Sequence, residues 1–158
     1  MERLNQKLGP ILFQLPPRWR VNLERLREFL TVLPRTHQYV FEFRELSWNT
    51  SAVYDILRFH NAAFCIHELA GFHSPIEVTA DFTYVRLHGP GAKYQGSYSN
   101  SVLRTWAQRI AGWKDLRSVY IYFDNDQGGY AAQNALELKH MVCGGQRGST
   151  LRKPPQAA

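Results

Sequence analysis

The chain has 158 residues, 44% of them hydrophobic and 20% charged, with 9 Phe, 8 Tyr and 4 Trp; at about 100–200 residues per domain this is one domain with a real core, not a disordered chain. No apolar run approaches the roughly 18–20 residues that span a bilayer, the start MERLNQKLGP lacks a secretory apolar stretch, and Cys65 and Cys143 have no paired Cys/His spacing, so a membrane partner, a disulfide scaffold and a zinc site are not expected and the cytoplasm is. The net charge of +6 sits at the ends: residues 1–35 hold seven Lys/Arg against three acids, 139–158 hold four against none, and 36–138 carry a net of −2, which weakens a nucleic-acid reading.

In chain order, Ile11–Leu15 predicts a strand, and Asn22-Leu23 opens a helix with Leu23, Leu26, Leu30 and Leu33 on one face, ended by Pro34. Tyr39–Phe43 predicts a second strand. A helix after Thr50-Ser51 presents Val53, Ile56 and Leu57, and Ala62–Ile66 is the third strand. His67 to Phe82 reads as a long, weakly helical linker, followed by a strand at Tyr84–Leu87. A helix after Asn100-Ser101 places Leu103, Trp106, Ile110 and Trp113 at helical spacing, and Val119–Phe123 is the last strand. A final helix past Gly128-Gly129 turns Ala131, Ala132 and Ala135 toward close packing and stops before Gly144-Gly145. The domain is thus 1–143, and GGQRGSTLRKPPQAA (144–158) is a flexible basic tail.

Near-continuous apolar strands alternating with helices are the mark of a parallel α/β sheet buried on both faces. No Gly-x-Gly-x-x-Gly follows the first strand, which disfavours a dinucleotide fold. A TIM-type barrel segment fits better, but eight βα units need roughly 250 residues, so five strands here cannot close one.

The polar residues that break these strands follow alternation. Glu42 and Arg44 share a face against Phe41 and Phe43; Arg86 and His88 share one against Val85 and Leu87; Asp124 shares one with Tyr120 and Tyr122. Helices claim the apolar faces, which leaves Glu42, Arg44, Arg86, His88 and Asp124 on the inner wall, with Gln14 and His67 compatible with it. All lie toward C-terminal strand ends, where α/β proteins build their sites. For any one residue, an ion pair plugging the wall is the simpler account; for the set, a binding or reaction site is expected.

Three loop motifs follow these strands. His88-Gly-Pro-Gly-Ala-Lys-Tyr94, continuing to Gly96-Ser97-Tyr98, offers amide groups, Lys93, Tyr94 and Tyr98 to an anion, though Ser97 stands where a Walker loop needs Lys. Asp124-Asn125-Asp126 resembles a metal-assisted phosphoryl-transfer motif, but the chain beyond it is too short for that class, and Asn and Asp are ordinary turn formers. Trp48 offers a stacking platform for a sugar or base, an interior Trp being the commoner case. His67, Glu68, His73 and His88 lack a short His-x-x-x-His spacing, so no metal and no cofactor are expected.

Read in order, LGPILFQLPP (8–17), FEFRELSW (41–48), TADFTYVRLHGP (79–90), YQGSYS (94–99) and VYIYFDNDQGGYAAQNALEL (119–138) resemble the YecE-like family, domain of unknown function 72. The resemblance implies a TIM-type barrel whose strands four to eight these motifs match, and it names a site location without a reaction. Glu45 stands where the family usually has His, and the family's first three strands have no counterpart here. The resemblance therefore implies a fragment, a mis-started product or a shortened protein, with its first and last strands as open edges prone to self-association.

Three functions follow. The first is an enzyme acting on a phosphorylated or sugar-like ligand, with Arg44, Arg86 and Lys93 binding the anion, His88 as acid/base, Glu42 or Asp124 as its carboxylate partner, and Gln14, Trp48, Tyr94, Tyr98, Asn125 and Asp126 as further ligand contacts. The others are a nucleic-acid binding or processing protein and a non-catalytic remnant or interaction module.

Overall fold

The computed structural model describes residues 7–145, and no helix among them is long and apolar enough to cross a membrane. The elements run β1 (Ile11–Leu15), α1 (Leu23–Val32), β2 (Tyr39–Phe43), α2 (Ser51–Phe59), β3 (Ala63–Leu69), β4 (Phe72–His73), β5 (Phe82–Leu87), α3 (Asn100–Gly112), β6 (Ser118–Phe123) and α4 (Tyr130–Gly145). Five strands form a sheet in the order β1-β2-β3-β5-β6 with every neighbouring pair parallel, while β4 folds back antiparallel on β3. The sheet curls strongly. Arg86 of β5 donates from Nη1 to Gln14 Oε1 of β1 at 3.3 Å although β2 and β3 lie between them, and Tyr120 of β6 donates to Gln38, just before β2, at 3.1 Å. Side chains of non-adjacent strands meet only when a sheet bends toward closure, so the architecture is α/β and barrel-like.

Local sequence accounts for the helix starts. Asn22 Oδ1 accepts from the Arg25 amide at 2.9 Å, and Thr50 and Ser99 do the same for Val53 and Val102; each hydroxyl or amide oxygen satisfies a donor that the first helical turn leaves unpaired. Between sheet and helices lies the larger core, with Phe41, Phe43, Phe64, Ile66, Val85 and Leu87 from the strands against Leu26, Leu30, Val53, Leu57, Leu103 and Trp106 from the helices. On the concave face a smaller set, Val40, Ala63, Cys65, Phe82 and Tyr84, fills the floor below the charged residues. Alternation thus separates the two faces as the sequence predicts. β2 is buried throughout, whereas β1 and β6, at the ends of the sheet, are only partly covered.

Four features differ from the expected pattern. β3 and β5 are longer than their apolar runs suggest, because His67, Glu68 and Thr83 take ladder positions. The segment between them is not helical: it makes the β3–β4 hairpin and is then stitched to β3 by side chains, Ser74 Oγ accepting from the His67 amide at 2.8 Å and Thr79 Oγ1 accepting from the Phe64 amide at 2.8 Å. These bonds satisfy backbone amides of β3 and dock the segment on that strand without a helix. In α4 the buried stripe is Ala131, Asn134 and Leu138, while Ala132 and Ala135 face solvent. Asn134 earns its core position by bonding: its Oδ1 accepts from the Tyr98 amide at 3.0 Å and from Asn125 Nδ2 at 3.0 Å, and its Nδ2 donates to Ser97 Oγ at 3.1 Å. Finally, α4 continues through Gly144 to Gly145; the rest of the expected tail lies outside the described residues.

Replacing Asn134 with Leu, which restores an apolar stripe, is expected to cost about 1–3 kcal/mol by orphaning the Tyr98 amide and removing one of the two acceptors of Asn125 Nδ2. Ala132→Leu is expected to stay within about 0.5 kcal/mol. Urea denaturation midpoints of the two variants check both.

Candidate functional site

The register of the sheet brings the inward polar residues into one band. Gln14 pairs with Glu42 across β1 and β2, and His67, Arg86 and Tyr122 align across β3, β5 and β6. Arg44 and His88 lie just past the ends of β2 and β5, and Asp124 just past β6, its amide bonded to the Leu87 carbonyl at 2.8 Å.

Glu42 lies at the centre of the band. Its carboxylate is fully buried and takes two cations, Arg44 Nη2 on Oε1 and Arg86 Nη1 on Oε2, the latter at 2.8 Å. Burial alone raises a carboxyl pKa, but the Arg86 hydrogen bond and the charges of Arg44 and Arg86 win and hold it below the usual range. Arg86 also reaches Asp124, Nη2 to Oδ2 at 3.0 Å. The thiol of Cys65 points at Glu42 Oε2 from 3.6 Å, and burial pushes its pKa well up, so it remains an inert thiol.

His88 is fully buried. Its Nδ1 is 2.8 Å from the Glu68 carbonyl, which can only accept, so Nδ1 carries the hydrogen and the neutral ring leaves a lone pair on Nε2. Nε2 lies 3.4 Å from Arg44 Nη2 and 3.4 Å from Asp124 Oδ2. The neutral ring therefore accepts from Arg44, and a proton arriving on Nε2 would be met by Asp124. Burial lowers the His88 pKa, with Arg86 opposing and Asp124 favouring the charged form; burial lowers that of His67 as well.

Beside this network is a cavity of about 500 Å³ lined by Gln14, Pro17, Arg44, Leu46, His67, Leu69, Phe72, Lys93 and Tyr94. It receives two permanent cations, Arg44 and Lys93, and no carboxylate. Arg44 Nε is itself buried, out of reach of the cavity, without an acceptor among the described residues. Tyr94, at a φ of +64°, stands over His88 with ring centres 5.7 Å apart, and Lys93 lies over the Tyr94 ring at 5.0 Å. The loop that carries them turns tightly at Gly89, φ +118°, where a Cβ would come within 2.4 Å of the Gln95 carbonyl oxygen.

Not all expected contacts reach this place. Trp48 is a correction: it lies on the helix side of the sheet, stacked on Phe43 at 4.6 Å, its Nε1 donating to the Trp19 carbonyl at 2.6 Å, because the turn after β2 returns toward the core. Tyr98 is buried, its hydroxyl accepting from the Gly89 amide at 2.8 Å, and Asn125 is spent on the Gly96 carbonyl and Asn134, so both shape the loop. Asp126 is exposed and apart from the cluster. Glu45 turns away to cap the short turn Leu46–Trp48, accepting from the Ser47 amide at 3.0 Å. Phe72 and Leu69 were not legible as cavity residues, since the hairpin that carries them follows no apolar periodicity. Among the described residues no three His, Cys, Asp or Glu side chains gather as a metal site.

The whole chain, residues 1–158, matches the family described as "Protein of unknown function DUF72". The crystal structure of a DUF72 family protein from Thermotoga maritima MSB8 is 28% identical with a TM-score of 0.79, the match covering 89% of this chain and 61% of that one. Two crystal structures of a DUF72 family protein from Enterococcus faecalis V583, 17% and 19% identical, each with a TM-score of 0.73, share the fold. They match 99% and 90% of this chain and 66% and 64% of theirs, so the chain spans between three fifths and two thirds of the length of these relatives. No curated protein matches it.

Glu42→Gln is expected to destabilise the chain by about 3–5 kcal/mol, because it leaves two part-buried guanidinium groups short of a charge; Lys93→Ala, at an exposed position, stays within about 0.5 kcal/mol. Denaturant titration at pH 7 compares them. With both histidine pKa values depressed below their ordinary 6.5, the unfolded chain binds more protons as pH falls through that value. Stability present above pH 6.5 is thus lost on acidification toward the folded-state pKa values. The loss between pH 7.5 and 5.5 is expected to be smaller in a His67→Gln/His88→Gln double variant.

Proposed function

The chain belongs to the DUF72 family, and from that premise we propose that it binds a phosphorylated ligand at the C-terminal ends of its strands and exchanges a proton with it through the Asp124–His88 pair. One observation carries this reading: the cavity beside the charged network is lined by two cationic side chains, Arg44 and Lys93, and by no carboxylate. A neutral sugar is held mainly by carboxylates and amides that accept from its hydroxyls; this lining suits an anion instead. Asp124 is the partly exposed carboxylate of the network and His88 the buried base behind it; both stand next to the cavity and not in its wall, His88 Nε2 3.4 Å from the lining Arg44, so the pair is placed to exchange a proton with a ligand that extends past Arg44 toward it. Glu42, with both oxygens on arginines and no exposure, holds Arg44 and Arg86 in place and does not titrate with the ligand.

The finer architectural reading is that β1 to β6 supply five strands of a larger barrel. The curl of the sheet and the 61–66% coverage of the relatives support it. β1 and β6 are then edges, and self-association through them is expected when the chain is studied alone. Light scattering that finds a monodisperse monomer with cooperative unfolding would count against this.

The ligand reading is tested by thermal shift against phosphate-ester and neutral-sugar panels. Phosphate esters are expected to raise the midpoint of the parent chain, with the shift lost in Arg44→Lys, whose ammonium cannot keep both the Glu42 contact and a ligand contact, and reduced in Lys93→Ala. Stabilisation by neutral sugars alone, or phosphate-ester shifts intact in both variants, removes the reading.

A further inference from the structure

The β3–β4 hairpin touches the charged network through the Glu68 carbonyl on His88, and beyond that contact it places two apolar side chains, Leu69 and Phe72, in the wall of the cavity. Its turn is closed by Ala70 at φ +49° and Gly71 at φ +82°, the paired left-handed residues of a two-residue hairpin. The hairpin is anchored on both sides: Glu68 pairs with His73 in register and by a side-chain contact of 3.2 Å between Oε2 and Nδ1, and the Ser74 amide donates to the His67 carbonyl at 2.9 Å. Phe72 rests against the His67 ring at 5.4 Å and stays 37% exposed. Across the same cavity stand Tyr94 and the two cations. A bare phosphate, or one esterified to a hydroxyl-rich chain, would leave Phe72, Leu69 and the ring of Tyr94 wet.

We infer that the hairpin is a specificity element: it selects a phosphate monoester whose organic group is flat and apolar, laid against Phe72 and Leu69 while the phosphate reaches Arg44 and Lys93. The inference rests on the phosphorylated-ligand reading above and names the kind of ester. Displacing water from one aromatic face is expected to make phenyl phosphate bind about tenfold tighter than glycerol 3-phosphate.

Calorimetric titration of the full chain with phenyl phosphate, glycerol 3-phosphate and inorganic phosphate tests it, in the parent and in Phe72→Ala, with Phe72→Leu as a milder variant. In the parent the tenfold preference is expected; in Phe72→Ala it falls to about twofold or less, Phe72→Leu lies between, and inorganic phosphate binds all three chains equally. Equal affinity of the parent for the two esters, or an equal weakening of all three probes by Phe72→Ala, overturns the inference while leaving the phosphate site standing. Failure of all three probes to bind the parent overturns both.

Discussion

A carboxylate removed from water must be matched by positive charge held at close range, and in this fold that demand falls on Glu42. Its two oxygens face Arg44, two residues on and just past the end of the same strand, and Arg86, from a strand that is not its neighbour. Meeting both requires the sheet to bend until β5 approaches β2 across the concave face. The same bend brings Gln14 to Arg86 and Asp124 to His88. Barrel-like curvature and the polar band are therefore two aspects of one electrostatic arrangement, and the apolar floor beneath it excludes the water that would otherwise screen the pairs.

The arrangement assigns different characters to chemically similar groups. Glu42 is locked as an anion, whereas Asp124, at the end of the sheet, keeps contact with solvent. His88 and His67 are kept neutral by burial, and the Glu68 carbonyl selects which nitrogen of His88 is bare. Burial and charge partners at this place are set by position along the band more than by residue type.

Much of the fold was legible because its signals are local and periodic. Phe41 and Phe43 against Glu42 and Arg44, or Val85 and Leu87 against Arg86 and His88, reveal two faces by alternation alone, and Asn22 and Thr50 mark their helices by hydrogen-bonding chemistry. The unread parts depend on distant partners. Asn134 looks like a surface residue until Tyr98 and Asn125 are seen to need it; Ala132 and Ala135 look like packing residues until α4 is found to turn a single narrow stripe inward. The hairpin at Leu69–Phe72 and the segment after it are held on β3 by Ser74 and Thr79, respectively, through side-chain bonds that leave no periodic trace. Within the site, the charged residues were visible as intruders in apolar strands. That Trp48 packs on Phe43 on the opposite face, and that Phe72 reaches the cavity, follow from chain direction after a turn, which residue type does not encode.

The bonds from α4 to the loop after β5 have a mechanical effect. Asn134 grips Ser97 and Tyr98 at one end of that loop, and the Tyr98 hydroxyl grips the Gly89 amide at the other. Both stems are thus tied to the body of the protein, and the span between them is tied as well, the Tyr94 amide donating to the His88 carbonyl at 2.6 Å. The last helix, remote from the cavity in sequence, therefore helps fix where Lys93 and Tyr94 stand in its wall.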